Sequence, residues 1–486
     1  MVLPVPDPTK SYWIEAADSS LRNFRSSESL PEETDVAIIG SGYAGASTAY
    51  WIHKGTENTG RQPKVTVLEA RDVCGSATGR NVWRGRFGAD GAMKLITHEV
   101  AHLEAFKELC EQEGITEEVC LKFGETFDAA MTEEAWTRLK GALKAMRDDY
   151  GNDNEFVKAC KIIEDPIHAE AFTQMKGALA AIVHPSGQVW PYKFVHALFR
   201  ILLRVGNMSL HAYTPVIEVS GRDAKGWIHV KTTRGSIRAR AVIHTTNRWA
   251  SHLLPEFDKL IIPDRGTMNS IKAPPGFIKH TGAQHWDSAV NNYHLQLPAP
   301  YNTIMLGGVR PITIHTPEEV MPNDQEDKQF VGVSDYCKSW PASGVKDWPG
   351  PAIAELGKQV HEGGCWTGIQ GESIDGFPFV GPVPDHEHQF INAAFTGHGM
   401  PRILLASAHI APLVLDAIGF KHIQPRLTTS YPALPEPFRV TRNRIDKLQA
   451  ENKWEECVKS FNARCKASAT KPYCDAGRRY ITNGPL

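Results

Sequence analysis

The 486-residue chain contains no Cys-x-x-Cys and no pair of cysteines at zinc-site spacing. Its nine cysteines are scattered singly, which argues against a zinc ribbon or a dithiol exchange motif and fits a reducing compartment. Cys457, Cys465 and Cys474 gather near the end, where a disulfide and a chance grouping both remain open. No apolar run reaches the roughly 18 residues of a membrane span. An excess of one charge is missing too: 53 Lys and Arg face 55 Asp and Glu, a formal net charge of −2, so no nucleic-acid partner is expected. The start, "MVLPVPDPTKSYW", lacks a basic region followed by an apolar core, and the final "TNGPL" is not a Ser-Lys-Leu address. Neither a secretory leader nor peroxisomal targeting is therefore expected, and a cytoplasmic location follows. No metal site and no Ser-His-Asp or Cys-His constellation is expected either.

What is present is an ordinary globular composition, 42% hydrophobic and 22% charged, long enough for two domains or more. "TDVAIIGSGYAGASTAYWI" reads as a buried strand (Val36 to Ile39), a glycine loop, and a helix beginning near Tyr43 and Ala44. Gly40, Gly42 and Gly45 form G-x-G-x-x-G: a tight turn, a close approach to a pyrophosphate, and close packing of helix on strand. "KVTVLEA" supplies a second strand ending at Glu69, 24 residues after Gly45 and followed by Ala70 and Arg71. A carboxylate there suits ribose hydroxyls, and the helix start suits phosphate. FAD and NAD share this fingerprint. No second G-x-G-x-x-G follows a strand, which argues against a flavoprotein that houses NADPH in a similar domain. The small-residue loop from Gly75 to Asn81, with Thr78 and Arg80, suits a long wrapped cofactor. Near the other end, "AFTGHGMPR" places Gly397, His398, Gly399 and Met400 before a helix expected from about Pro401. From the residues alone, this phrase reads either as a bare turn with an exposed His398 or as a surface cleared for a ligand.

With these residues in place, the chain resembles the D-amino-acid oxidase superfamily of FAD enzymes. The likeness is greatest to the branch of gamma-glutamylputrescine, glycine and sarcosine oxidases. It covers roughly residues 10 to 420 and continues through "TPVIEV", "AVIHTTNRW" and "DGFPFVGPVP". The resemblance implies an α/β fold: a Rossmann-like, discontinuous FAD-binding domain with an inserted antiparallel-sheet substrate domain. An N-terminal arm is expected over 1–30, the FAD domain over 31–100, 180–265 and 362–420, and the substrate domain over 101–179 and 266–361. Residues 101–179 read as helices. Residues 421–486, with 13 Lys and Arg against 6 Asp and Glu, form a basic extension, read either as packed across an acidic body or as a solvated surface.

Carried over by the resemblance, Glu69 holds the adenosine ribose and Val216 sets its backbone against adenine. Arg80 and Asn81 lie beside the pyrophosphate and flavin, and Thr245, Thr246 and Asn247 form a turn passing the cofactor. Asp375 and Gly376 precede the strand leading to the second flavin loop. There, Gly397, His398 and Gly399 meet the pyrimidine end of the ring, and the following helix aims its N-terminus at the flavin N1–C2 region. The chain departs from the family at Val82, Trp83 and Arg84, where glycines are usual, and Trp83 is either a pocket wall or core packing. In "GGCWTGIQ", Cys365 falls one place beyond the position that tethers flavin in some relatives. A one-residue slip turns the side chain to the opposite face, so FAD is expected to be non-covalent.

The expected activity is oxidation of a C–N bond in an amine or amino acid, with hydride passing to flavin N5 and O2 reduced to H2O2. Arg84, Arg86 and Arg310 are either anchors for a substrate carboxylate or ordinary ion pairs. His398, Tyr293 and Trp190 are either pocket or core residues. Two alternatives stand beside this reading. One is an FAD enzyme that uses another acceptor or acts on another bond of a specialised metabolite, and the other is a flavin-binding protein without turnover. The sequence carries no signal for oligomeric state.

Overall fold

A computed structural model describes residues 3–17, 19–80, 89–350, 365–425, 431–475, 478 and 481, with backbone alone over 89–94 and at 96. Among these residues, the β-branched and aromatic runs pair into two eight-stranded sheets. The first is built on β1 (Glu33–Ile39), β2 (Val65–Leu68), β6 (Met208–His211), β9 (Gly235–His244), β15 (Phe379–Pro382) and β16 (Gln389–Ala393), in the order β15-β16-β9-β1-β2-β6. β1 lies parallel to both β2 and β9, while β6 and β16 extend the parallel run outward. Four consecutive buried residues in "VTVL" and at the end of β1 are what a strand covered on both faces requires. One covering layer is the helix Tyr43–Thr56, which packs on the helix Ile403–Ala417. The Trp51 indole N–H donates to the Leu404 carbonyl at 2.8 Å. β7 (Val216–Arg222) and β8 (Ile228–Thr232) form an antiparallel meander against β9.

The second sheet runs β14-β10-β13-β12-β11-β3-β5-β4. Its strands are β3 (Lys122–Ala130), β4 (Lys161–Ile163), β5 (Ala180–Gln188), β10 (Ile261–Lys272), β11 (Thr281–His285), β12 (Asn291–Gln296), β13 (Thr303–Gly307) and β14 (Trp366–Ser373). All neighbours are antiparallel except β11 and β3. The expected boundaries need correction here. β5 and β14, within the stretches expected in the FAD domain, pair in the second sheet, and the boundary at 265 cuts through β10. Residues 101–179 are not only helices, because β3 lies inside the second sheet. Its half-exposed, charged start masks the alternation, and long-range pairing rather than local propensity decides the outcome.

The C-terminal segment packs through two helices, Arg442–Glu451 and Trp454–Ala469. Arg444 forks onto Asp375 at 2.9 and 3.0 Å and also donates to the Phe377 and Pro378 carbonyls. Phe461 lies under the Arg310 guanidinium. Cys465 and Cys474 are buried, and all nine cysteines are free thiols. Among the described residues, no helix is long and apolar enough to cross a membrane.

Candidate functional site

The carboxyl ends of β1, β2, β9 and β16 open into one cavity, the place where open parallel sheets bind ligands. Gly40, the first residue beyond β1, sits at φ +109°, and a Cβ there would come within 2.8 Å of the Thr245 carbonyl and hydroxyl. Thr245 is fixed in turn by donating to the Ile39 carbonyl at 2.8 Å. Gly42 caps the helix Tyr43–Thr56, and the Tyr43 N–H donates to Thr78 Oγ1 at 3.1 Å. Gly45 faces away from the cavity: a Cβ on it would lie 2.1 Å from the Gly40 carbonyl oxygen, so it serves close packing of helix on loop. Gly40, Gly42, Tyr43, Ala44 and Thr78 all line the cavity. Tyr43 is buried with its hydroxyl 3.2 Å from His102 Nε2, and burial pushes the phenol up and the imidazole down.

One end of the cavity is set by Glu69, Ala70 and Val216. Glu69 accepts from the Ser41 N–H and hydroxyl at 2.9 and 2.7 Å, and from the Arg71 N–H at 3.0 Å. These bonds hold the carboxylate at the strand end. The Arg71 side chain lies outside the lining; it pairs with the fully buried Glu326 at 2.7 Å and donates to the Val5 carbonyl. Arg80 is likewise a brace, donating at 2.8 Å to the carbonyls of Gly75 and of Thr367 on β14. These bonds tie the 75–80 loop to the second sheet, and Arg80 is not among the residues lining the cavity.

The other end is formed by Gly397, Gly399 and Met400, together with the turn Thr245, Thr246 and Asn247. Ala394, Thr396 and Gly397 all have positive φ, at +60°, +50° and +66°, which folds the loop tightly over the cavity. The helix begins at Ile403 rather than Pro401, because the Arg402 and Ile403 N–H groups both donate to the Gly399 carbonyl. His398 is 3% exposed with Nδ1 3.2 Å from the Thr396 carbonyl oxygen. It is neither a solvent-exposed turn residue nor a wall of the cavity. Arg310 pairs with Asp264 at 3.4 Å and Trp190 donates to the Trp13 carbonyl from within the core. Neither lines this cavity. Asn81, Trp83, Arg84 and Arg86 lie outside the described residues.

The sequence reading passed over Gln370 on β14 and Asn392 on β16, both cavity residues. Asn392 was findable, since it sits at the carboxyl end of a parallel strand, whereas nothing local marks Gln370. The Asn392 Oδ1 and the Thr246 hydroxyl are buried without a hydrogen-bond partner. A carboxylate at one end, a glycine-lined helix start in the middle, and unsatisfied polar groups toward the far end fit a long, phosphate-bearing cofactor. A second, largely apolar cavity, walled by Leu103, Phe106, Phe123 and Phe156, shares Met400 with the first.

Comparison with known proteins agrees with this geometry. The family described as DAO, FAD dependent oxidoreductase, matches over residues 35–413. Over 220 residues the chain is 24% identical to a glycine oxidase of Pseudomonas aeruginosa, a stretch covering 44% of this chain and 52% of that one. The chain thus spans about half the length of that curated relative. Among solved structures it is similar to glycine oxidase from Geobacillus kaustophilus, with a TM-score of 0.63 and 20% identity over 85% of this chain and 99% of that one. L-proline dehydrogenase from P. horikoshii gives a TM-score of 0.62 and 19% identity, covering 80% and 94%. At such identities these two likenesses are of fold.

Proposed function

Because the chain belongs to the DAO family of FAD dependent oxidoreductases, we propose that it oxidises a C–N bond of a small-molecule amine or amino acid to an imine, with O2 reduced to H2O2. The observation that carries this reading is the single cavity joining Glu69 to the Gly397–Met400 loop. FAD, when bound, supplies the hydride acceptor. In our reading, Glu69 accepts from the ribose hydroxyls and the Val216 backbone lies against adenine. The Gly40–Gly42 loop and the start of the Tyr43–Thr56 helix receive the pyrophosphate. Thr246, Asn392 and the 397–400 backbone offer hydrogen bonds to the ring end, and the helix at Ile403 favours negative charge there by roughly 0.3–2 kcal/mol. Non-covalent attachment is supported by Cys365, which is buried with its sulfur accepting from Asn269 at 3.1 Å and is absent from the cavity lining. We place the protein in the cytoplasm.

An amine and amino-acid panel with peroxide detection tests this. Flavin bleached by at least one amine without air, and peroxide formed with air, is expected. Bleaching without peroxide favours the second reading, a dehydrogenase passing electrons to another acceptor. No bleaching by any member of the panel sinks both C–N readings.

A further inference from the structure

Resting on that reading of amine oxidation, we propose that the second cavity is the substrate pocket, and that the substrate is an amine carrying an aromatic ring and no carboxylate. Met400 borders both cavities and Pro401 lines the second. A molecule lodged there therefore ends beside the 397–400 loop, where our reading puts the ring end of FAD. A side-chain pair also joins the two cavities. Tyr43 lines the first and His102 the second, with the Tyr43 hydroxyl 3.2 Å from His102 Nε2. The apolar wall is drawn from separate elements. The helix Ala89–Gln112 presents Val100, Leu103 and Phe106, spaced by three residues and so neighbours on its surface. β3 adds Phe123, and the short helix Glu155–Ala159 adds Phe156. His184 of β5, also in the lining, lies against Phe156 with ring centroids 6.0 Å apart. Val100 and Phe123 are exposed large apolar side chains, which gives the cavity an apolar mouth. Such a mouth marks a place where an apolar ligand is desolvated on entry, and rings gathered in a wall favour another ring, edge-to-face or offset.

Charge decides between an amine and an amino acid. Among the described residues lining the two cavities, none is Lys or Arg. Glu99 belongs to the second lining, and its Oε1 accepts from Arg402 Nε and Nη2 at 2.8 and 2.7 Å. Arg402 itself is fully buried and outside the lining. It stands two residues beyond Met400, so the Glu99 carboxylate marks the end of the cavity nearest the loop. His102 brings no charge, because burial pulls its imidazole well down. A substrate carboxylate would enter beside Glu99 with no cation in the described lining to pair with, and burying a charge in that way is costly. An amine nitrogen meets a carboxylate at the same end, while its ring rests on the aromatic wall.

The test uses calorimetry on the FAD-loaded protein with three probes that have no C–H bond beside nitrogen and so cannot be oxidised there. They are 2-phenylpropan-2-amine, tert-butylamine, which replaces the ring by a methyl group, and 2-amino-2-phenylpropanoate, which replaces a methyl group by a carboxylate. The phenyl amine is expected to bind best. Loss of the ring should weaken binding about tenfold or more, and the added carboxylate should weaken it by a similar factor. Phe123→Ala, at the exposed mouth, should weaken the phenyl amine about three- to tenfold and leave tert-butylamine unchanged. Leu103→Trp fills the cavity and should abolish binding of the phenyl amine; if that variant does not fold, Phe123→Ala carries the test. Equal binding of tert-butylamine, tighter binding of 2-amino-2-phenylpropanoate, no binding of any probe, or wild-type affinity for the phenyl amine in Phe123→Ala or in folded Leu103→Trp overturns the proposal. Bleaching of wild-type flavin by oxidisable amines without air is read separately. Bleaching alongside any of those outcomes rejects the aromatic pocket but keeps amine oxidation, while no bleaching by any oxidisable amine rejects the oxidation and the proposal with it.

Discussion

Gly45 and Gly42 stand three residues apart in one motif, yet they answer to different neighbours. A Cβ at Gly45 meets a backbone oxygen at 2.1 Å, whereas one at Gly42 meets only the Thr78 hydroxyl, at 3.3 Å. Gly45→Ala is therefore expected to cost about 1–3 kcal/mol in overpacking, and Gly42→Ala less, measured as midpoints of urea unfolding on the apoprotein. Equal midpoints for the two would count against the close packing of helix on loop. Glu69→Ala is expected to weaken FAD binding by roughly 1.5–3 kcal/mol for each hydrogen bond lost to the carboxylate, read by fluorescence titration of apoprotein. Unchanged affinity would move the ribose elsewhere. Such residues were legible because glycine and a strand-end carboxylate each solve a local problem that few other residues solve. Arg71, Arg80 and His398 were not, because a long cation or an imidazole takes its role from whatever the fold brings within reach. Here those partners are Glu326, the Gly75 and Thr367 carbonyls, and the Thr396 carbonyl.

Among the elements, β1, β2 and the helix Tyr43–Thr56 could be read directly, since unbroken apolar runs followed by a glycine loop leave little choice. β3, β5 and β14 could not be assigned that way, because their place depends on partners many residues distant. The start of the helix Ile403–Ala417 shifted by two residues for a nearer reason: the Gly399 carbonyl takes both the Arg402 and Ile403 N–H groups. Gly399→Val puts a branched side chain against Ile403, whose Cδ1 already lies 2.8 Å from where a Cβ would be. We expect that variant to fold with reduced flavin content or an altered flavin potential. Wild-type values for both would show that the loop does not close on the ring. The C-terminal helices clasp the strand region through Arg444, and Arg444→Ala removes a fork and three carbonyl contacts. A loss of about 2 kcal/mol is expected from hydrogen bonds to a charged group, seen as a lower unfolding midpoint, and an unchanged midpoint would make the clasp incidental.

For the whole molecule, the two sheets meet where the cavity lies, since Gln370 and Gly371 of β14 line it together with residues at the ends of the first sheet's strands. Acid precipitation is expected to leave the pellet colourless and FAD in the supernatant, since Cys365 is turned into the core; a yellow pellet containing a flavin-bearing peptide would refute non-covalent attachment. The order of strands carries one more consequence, which concerns synthesis. β1 ends at Ile39, yet its neighbour β9 ends at His244, β16 beyond that ends at Ala393, and the loop that closes the cavity reaches Ile403. A ribosome emits these pieces at long intervals, so the first strand waits with an unpaired edge until β9 has been made, and β9 in turn waits for β16. Arg444 then arrives last to fasten Asp375. Loading with FAD therefore follows synthesis of the 397–400 loop, and nascent chains arrested short of residue 400 should retain none.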